Sequence, residues 1–184
     1  SFSGDFSDWF FDIVFFFMQK SVYEVGVRLV VSEMCIKYRL YFMVNDAFYT
    51  QETPKGHLPE GVFVGSMKEH PELVASHYGR LAKTEEDAVT ALNTMLAQDG
   101  LLVYVPRHTK VERAIQVINI LRSDVDLMVN RRVMIILEDG AELKMLFCDH
   151  AADDRNFLST QIIEAFVGNN ASLDLYCLEE THHK

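Results

Sequence analysis

The sequence predicts a mainly β chain built of stacked coils, a β-helix, preceded by a small helical region. Two observations carry this. After Gly100 come seven short apolar segments separated by Gly, Asn and Asp turns, with no helix-length segment between them, so the helical crossovers of an α/β fold are missing and the choice lies between a sandwich or barrel and a β-helix. Within them, residues 137–147 (LEDGAELKMLF) match residues 167–177 (VGNNASLDLYC) position for position at an offset of 30. Repeats at such a period are the mark of stacked units.

Stacking imposes a test, because equivalent positions of successive coils lie one strand spacing apart, about 4.8 Å. Ala141, Leu143, Met145 and Phe147 then sit inward under Ala171, Leu173, Leu175 and Cys177. Outward-facing Lys144 meets Asp174, Glu142 meets Ser172 and Leu146 meets Tyr176. Residues 100–105 (GLLVYV) fit the same template at an offset of 40 from Gly140, which calls for coils of unequal length.

Composition is that of an ordinary folded chain of 184 residues, 49% apolar and 24% charged. The net charge of −10 is spread evenly: residues 1–99 carry 8 basic and 14 acidic groups, residues 100–184 carry 9 and 13. Neither half offers the positive face that nucleic acid or an anionic membrane surface requires. Three scattered cysteines, Cys35, Cys148 and Cys177, form no CxxC and no disulfide framework, which fits a reducing cytoplasm.

Residues 9–18 (WFFDIVFFFM) are strongly apolar, and seven of the 13 phenylalanines fall in the first 17 residues. A membrane-spanning helix needs about 20 apolar residues, and this run is half as long with Asp12 inside it. Asp5 and Asp8 stand where a signal peptide would carry positive charge. The segment therefore reads as an element covered by protein.

Residues 25–31 alternate as a strand, and residues 39–44 (RLYFMV) are rich in β-formers before Asn45 and Asp46 break the run. Pro54, Gly56, Pro59, Gly61 and Gly65 make residues 51–65 a turn-rich connector, with a short strand at residues 62–64. Pro71 suits the first turn of a helix whose apolar face carries Leu73, Val74, His77, Tyr78 and Leu81. Thr84, followed by Glu85, Glu86 and Asp87, reads as the N-cap of a second helix with an apolar stripe of Ala88, Leu92, Met95 and Leu96. Asp99-Gly100 is expected to close it, with glycine in the left-handed conformation.

The later strands are expected at residues 101–105, 115–121, 125–129, 133–137, 141–148, 160–167 and 171–178. The chain thus divides into residues 1–65, of uncertain structure, a two-helix segment at 66–99, and the first coils of an incomplete β-helix at 100–184. The two helices are placed to cap the first coil, since open strand edges invite aggregation. No such cap follows residue 178, which suggests a piece of a longer chain or an end covered by a partner.

Residues 45–50 (NDAFYT), 58–62 (LPEGV), 83–106 (KTEEDAVTALNTMLAQDGLLVYVP), 124–151 (DVDLMVNRRVMIILEDGAELKMLFCDHA) and 157–184 (FLSTQIIEAFVGNNASLDLYCLEETHHK) resemble the SufB/SufD family, SufD more than SufB. The resemblance runs from about Leu40 to the end; residues 1–37 do not share it, and residues 65–70 are shortened against it. It implies a right-handed parallel β-helix that serves as a scaffold in SUF iron–sulfur cluster assembly. SufD-like chains of the family pair with a SufB-like sister and a SufC-like ABC-type ATPase. A homodimer is also compatible with it. The cluster belongs to the assembled complex, and the family's cluster-assembly residues lie in later coils, so none transfers to a position of this sequence.

The residues themselves offer no strong chemistry. Cys148-Asp149-His150 with Asp153 and Asp154 is the densest ligand-type cluster, yet neighbours at a strand end point in different directions, so it reads as a polar turn with Cys148 at the surface or edge. Cys177 has inward parity and reads as a packed core thiol. His182 and His183, after Glu179 and Glu180, read as the start of a turn. No glycine-rich phosphate loop and no GxSxG elbow occurs. No catalytic, cofactor-binding or metal-ligating residue is therefore assigned, and a non-enzymatic scaffold is expected. The rival is a β-helix polysaccharide lyase or hydrolase, which would need paired carboxylates in an open groove.

Overall fold

The computed structural model describes residues 38–49, 58–151 and 155–179. Expectations for residues 9–18, 25–31 and 51–57, and for Cys35, Asp153, Asp154, Glu180, His182 and His183, lie outside the described residues. Within them the chain is mainly β, in two mixed sheets.

The elements are β1 (Tyr38–Val44), β2 (Ala47–Tyr49), β3 (Phe63–Ser66), a 3-10 turn (Met67–Glu69), α1 (Pro71–His77), α2 (Ala88–Leu96), β4 (Leu101–Val105), β5 (Ala114–Leu121), β6 (Leu127–Leu137), β7 (Glu142–Ala151), β8 (Phe157–Val167) and β9 (Ser172–Glu179). The first sheet has the order β2-β1-β5-β7-β9 and the second β3-β4-β6-β8. From β4 onward each strand lies in the opposite sheet to the one before it, and each pairs in parallel with the strand two places along. The antiparallel pairs β1–β2 and β3–β4 stand at the other edges.

The 30-residue register is the one the repeat predicts. Lys144 lies opposite Asp174, Leu146 opposite Tyr176 and Phe147 opposite Cys177. Ile115 opposite Met145, and Leu127 opposite Phe157, extend the offset to two further strand pairs. The placement of residues 100–105 needs correction: Leu101 pairs with Val133, an offset of 32, in the other sheet from β7. The strand that does lie beside β7 is β5.

Alternation along each strand separates two apolar layers. Leu101, Val103, Val105, Ile115, Val117, Val133, Ile135, Leu137, Leu143, Met145 and Phe147 meet between the sheets, joined by Tyr41 and Met43 of β1. On the other face of the second sheet Leu102, Met134 and Ile136 pack with Met67, Leu73, Val74 and Tyr78 from the helical segment. His77 lines this face as expected, its ring edge-on to Phe166 at 4.7 Å.

Pro71 opens α1 as expected. The second helix starts later than its sequence suggests. Asp87, rather than Thr84, is the N-cap, its carboxylate accepting from the Thr90 backbone N–H at 2.7 Å. The buried residues of α2 are Thr90 and Asn93, while Val89, Met95 and Leu96 are exposed. Gly100 closes nothing in the left-handed region. It is required because a β-carbon there would run into the carbonyl of Arg132 on the neighbouring strand.

Segments 125–129 and 133–137 are one strand, β6, running through Asn130, Arg131 and Arg132. Cys148, Asp149 and His150 form no turn but continue β7, and Cys148 is buried. Cys177 is exposed instead of packed, because among the described residues β9 is an edge strand with a neighbour on one side only.

Candidate functional site

The polar groups of interest converge on β6, where Arg131 and Arg132 stand side by side in a run that is otherwise apolar. Successive side chains of a strand point to opposite faces, so the two guanidiniums enter different compartments. Arg131 points between the sheets and Arg132 points under the helices. Both are almost entirely removed from solvent. A buried charge survives only when it is paired and hydrogen-bonded.

Arg132 meets that condition with Glu164 of β8, Nη2 to Oε2 at 2.6 Å. Its Nη1 also donates to Thr94 Oγ1 at 3.0 Å and to Asn93 Oδ1 at 3.4 Å, and the guanidinium lies over the Tyr78 ring at 4.5 Å. Glu164 in turn accepts from the backbone N–H groups of Gly79 at 2.9 Å, Leu81 at 2.9 Å and Ala82 at 3.1 Å. Gly79 takes a positive φ of 72° in that connection. The pair therefore ties the segment between α1 and α2 to the outer face of the second sheet.

Burial pushes the Glu164 carboxyl up. The N–H groups of Gly79 and Ala82, the Arg132 guanidinium and the Leu81 N–H together outweigh it and hold the group below its ordinary value. Tyr78 is raised, first by burial, then with Arg132 lowering and Glu164 raising it.

Arg131 donates from Nη1 to Asp149 Oδ1 at 2.8 Å and from Nε to the Asn45 carbonyl at 3.0 Å. Asn119 of β5 donates to the same Asp149 oxygen at 2.6 Å and to Gln161 Oε1 at 3.2 Å. Burial lowers the Arg131 guanidinium and Asp149 works against that. Asn93 Nδ2 joins the helix to the strands, donating to the Arg131 carbonyl at 3.0 Å and to Thr160 Oγ1 at 2.9 Å.

Further side-chain contacts repeat the 30-residue offset. Asn119–Asp149, Asp126–Asn156, Asn130–Thr160 and Asp139–Asn169 are each hydrogen-bonded 30 residues apart, and Lys144 pairs with Asp174 at 3.3 Å. Polar ladders thus lock the same register as the apolar core.

This arrangement ties the helical segment and the strands of both sheets together. Of the cluster considered in the sequence, Asp149 is committed to Arg131 and Asn119, and Cys148 accepts from Gln116 Nε2 at 3.3 Å. Among the described residues no group of three or more His, Cys, Asp or Glu side chains is placed to hold a metal ion. The exposed acids Glu142, Asp174 and Asp139 face Lys110, Lys144 and Arg107. No helix of the described residues is long and apolar enough to cross a membrane. Sequence reasoning missed Arg131, Arg132, Glu164 and Asn93; the available signal was a charged pair between Val129 and Val133, two segments that otherwise read as core.

Comparison with known proteins bears out the SufB/SufD resemblance. Residues 28–117 match the model of the SufBD protein N-terminal region, so the family signal begins some ten residues before Leu40. A chloroplastic iron–sulfur cluster assembly SufBD family protein of Arabidopsis thaliana is 25% identical over 112 residues, 59% of this chain and 19% of that protein. The iron–sulfur cluster assembly protein SufD of Bacillus subtilis is 28% identical over 116 residues, 58% of this chain and 24% of that protein. An iron–sulfur cluster assembly SufBD family protein of Synechocystis is 28% identical over 109 residues, 59% and 22% of the two chains. The matched stretch spans about a fifth to a quarter of the length of these relatives.

Proposed function

We propose that this chain is a SufD-like scaffold component of the SUF iron–sulfur cluster assembly machinery, working beside a SufB-like sister scaffold and a SufC-like ABC-type ATPase. The observation that carries the reading is the match of residues 28–117 to the SufBD N-terminal region, supported by relatives named for iron–sulfur cluster assembly. On this reading the chain has no catalytic activity of its own, and the cluster is cargo of the assembled complex.

The finer architecture proposed is a right-handed parallel β-helix, with the helical segment of residues 66–99 set against its first coils. From β4 onward strands that change sheet at every step and pair in parallel with the strand two places along favour it over a sandwich. A scaffold needs a rigid frame more than a mobile one, and the buried Arg132–Glu164 pair and the 30-residue polar ladders supply rigidity. Neither nucleic acid nor membrane enters this proposal, given the net charge of −10. The cytoplasm, or the plastid equivalent its chloroplastic relative occupies, is the proposed compartment.

Co-expression of the parent protein with its cognate SufB-like and SufC-like proteins tests this, with one co-eluting complex expected. A protein that ignores both partners and cleaves polysaccharide would overturn the proposal.

A further inference from the structure

At one end of the apolar core four polar side chains share the inward parity: Asn119 with Ile115 and Val117, Arg131 with Val133 and Ile135, Asp149 with Met145 and Phe147, and Gln161 with Ile163 and Ala165. Each comes from a different strand, two from each sheet. Asp149 Oδ1 is their hub, receiving Arg131 Nη1 at 2.8 Å and Asn119 Nδ2 at 2.6 Å.

Among the described residues two atoms of this layer find no partner: Arg131 Nη2, a donor, and Asn119 Oδ1, an acceptor. Their side chains are 1% and 0% exposed, so bulk solvent does not serve them. The amide orientation of Asn119 is fixed, because turning it over would set its oxygen against the Asp149 carboxylate and the Gln161 carbonyl, both acceptors. Both unpartnered atoms belong to side chains that donate to the same Asp149 oxygen. Buried polar atoms are satisfied in nearly all folded proteins, by protein or by ordered water.

We propose that this layer holds one internal water molecule, which accepts from Arg131 Nη2 and donates to Asn119 Oδ1. The required ligand must both accept and donate, which excludes a simple anion or cation. The Asp149 carboxylate already balances the guanidinium, so the layer has no net charge to attract an ion. The site is independent of the family reading. Its water would complete a polar bridge between the two sheets at the end of the core.

Crystals diffracting well enough to show ordered solvent should reveal one density peak within hydrogen-bond reach of both atoms. Absence of that peak, or an anomalous signal there after a bromide soak, overturns the proposal. In solution, oxygen-17 magnetic relaxation dispersion counts long-lived internal waters, and Asn119→Leu should lower the count by one with unchanged far-UV circular dichroism. An equal count overturns it. If Asn119→Leu does not fold, the wild-type density decides alone by the same two results.

Discussion

The carboxylate of Glu164 lies 2.6 Å from the guanidinium of Arg132, 32 residues earlier in the chain, and neither side chain is in contact with solvent. Glu164→Gln removes the counter-charge and leaves Arg132 buried and unbalanced, at an expected cost of about 3–5 kcal/mol. Denaturant unfolding measures it. The double variant Arg132→Met with Glu164→Met recovers little, because the N–H groups of Gly79, Leu81 and Ala82 lose their acceptor as well. Full recovery would mean that the connection between the helices does not depend on Glu164.

The same carboxyl sets a pH dependence. Its folded value lies below the ordinary 4.5. Its stabilising contribution is therefore complete above about pH 4.5 and is lost as pH falls through the lower folded value. Unfolding free energy should drop more steeply in this acid range for the wild type than for Glu164→Gln. Parallel acid limbs would contradict the assignment.

Two glycines should respond differently to alanine. At Gly100 the added methyl meets the Arg132 carbonyl across the sheet, and about 3 kcal/mol is expected from overpacking against backbone that cannot move aside. At Gly79 nothing lies within 4 Å, so the cost is conformational, about 1–2 kcal/mol for the positive φ. Thermal unfolding of the two variants checks the order. A larger loss at Gly79 would refute it.

What the residues made legible follows from how local the signal is. The 30-residue register of β7 and β9 was readable because Ala141, Leu143, Met145 and Phe147 have apolar or small counterparts at every inward position. β6 was read as two strands because Arg131 and Arg132 interrupt its apolar run, and the groups that permit their burial, Asp149 and Glu164, come from β7 and β8. The face of α2 was misread for the same reason. Thr90 and Asn93 are buried because Asp87, Arg131 and Thr160 offer them hydrogen bonds, and that outweighs burial of Val89 and Met95. Cys177 has the inward parity assigned to it, but parity does not decide burial on an edge strand.

Iron chemistry offers a separate check. Cys148 is buried beside Gln116 and Asp149 is engaged by Arg131, so anaerobic reconstitution of this chain with iron and sulfide should give no stoichiometric cluster. Stable visible absorption that disappears in Cys148→Ala would contradict this.

The register tests the stacked arrangement most directly. In a background with Cys35, Cys148 and Cys177 replaced by serine, Lys144→Cys and Asp174→Cys place two thiols at partnered positions of β7 and β9. Mild oxidation should join them. In the control pair, Lys144→Cys with Leu178→Cys, the second thiol is displaced by four residues, about 13 Å along the strand. An internal disulfide is expected in the first pair and none in the control; rapid cross-linking of the control with none in the first pair would contradict the register.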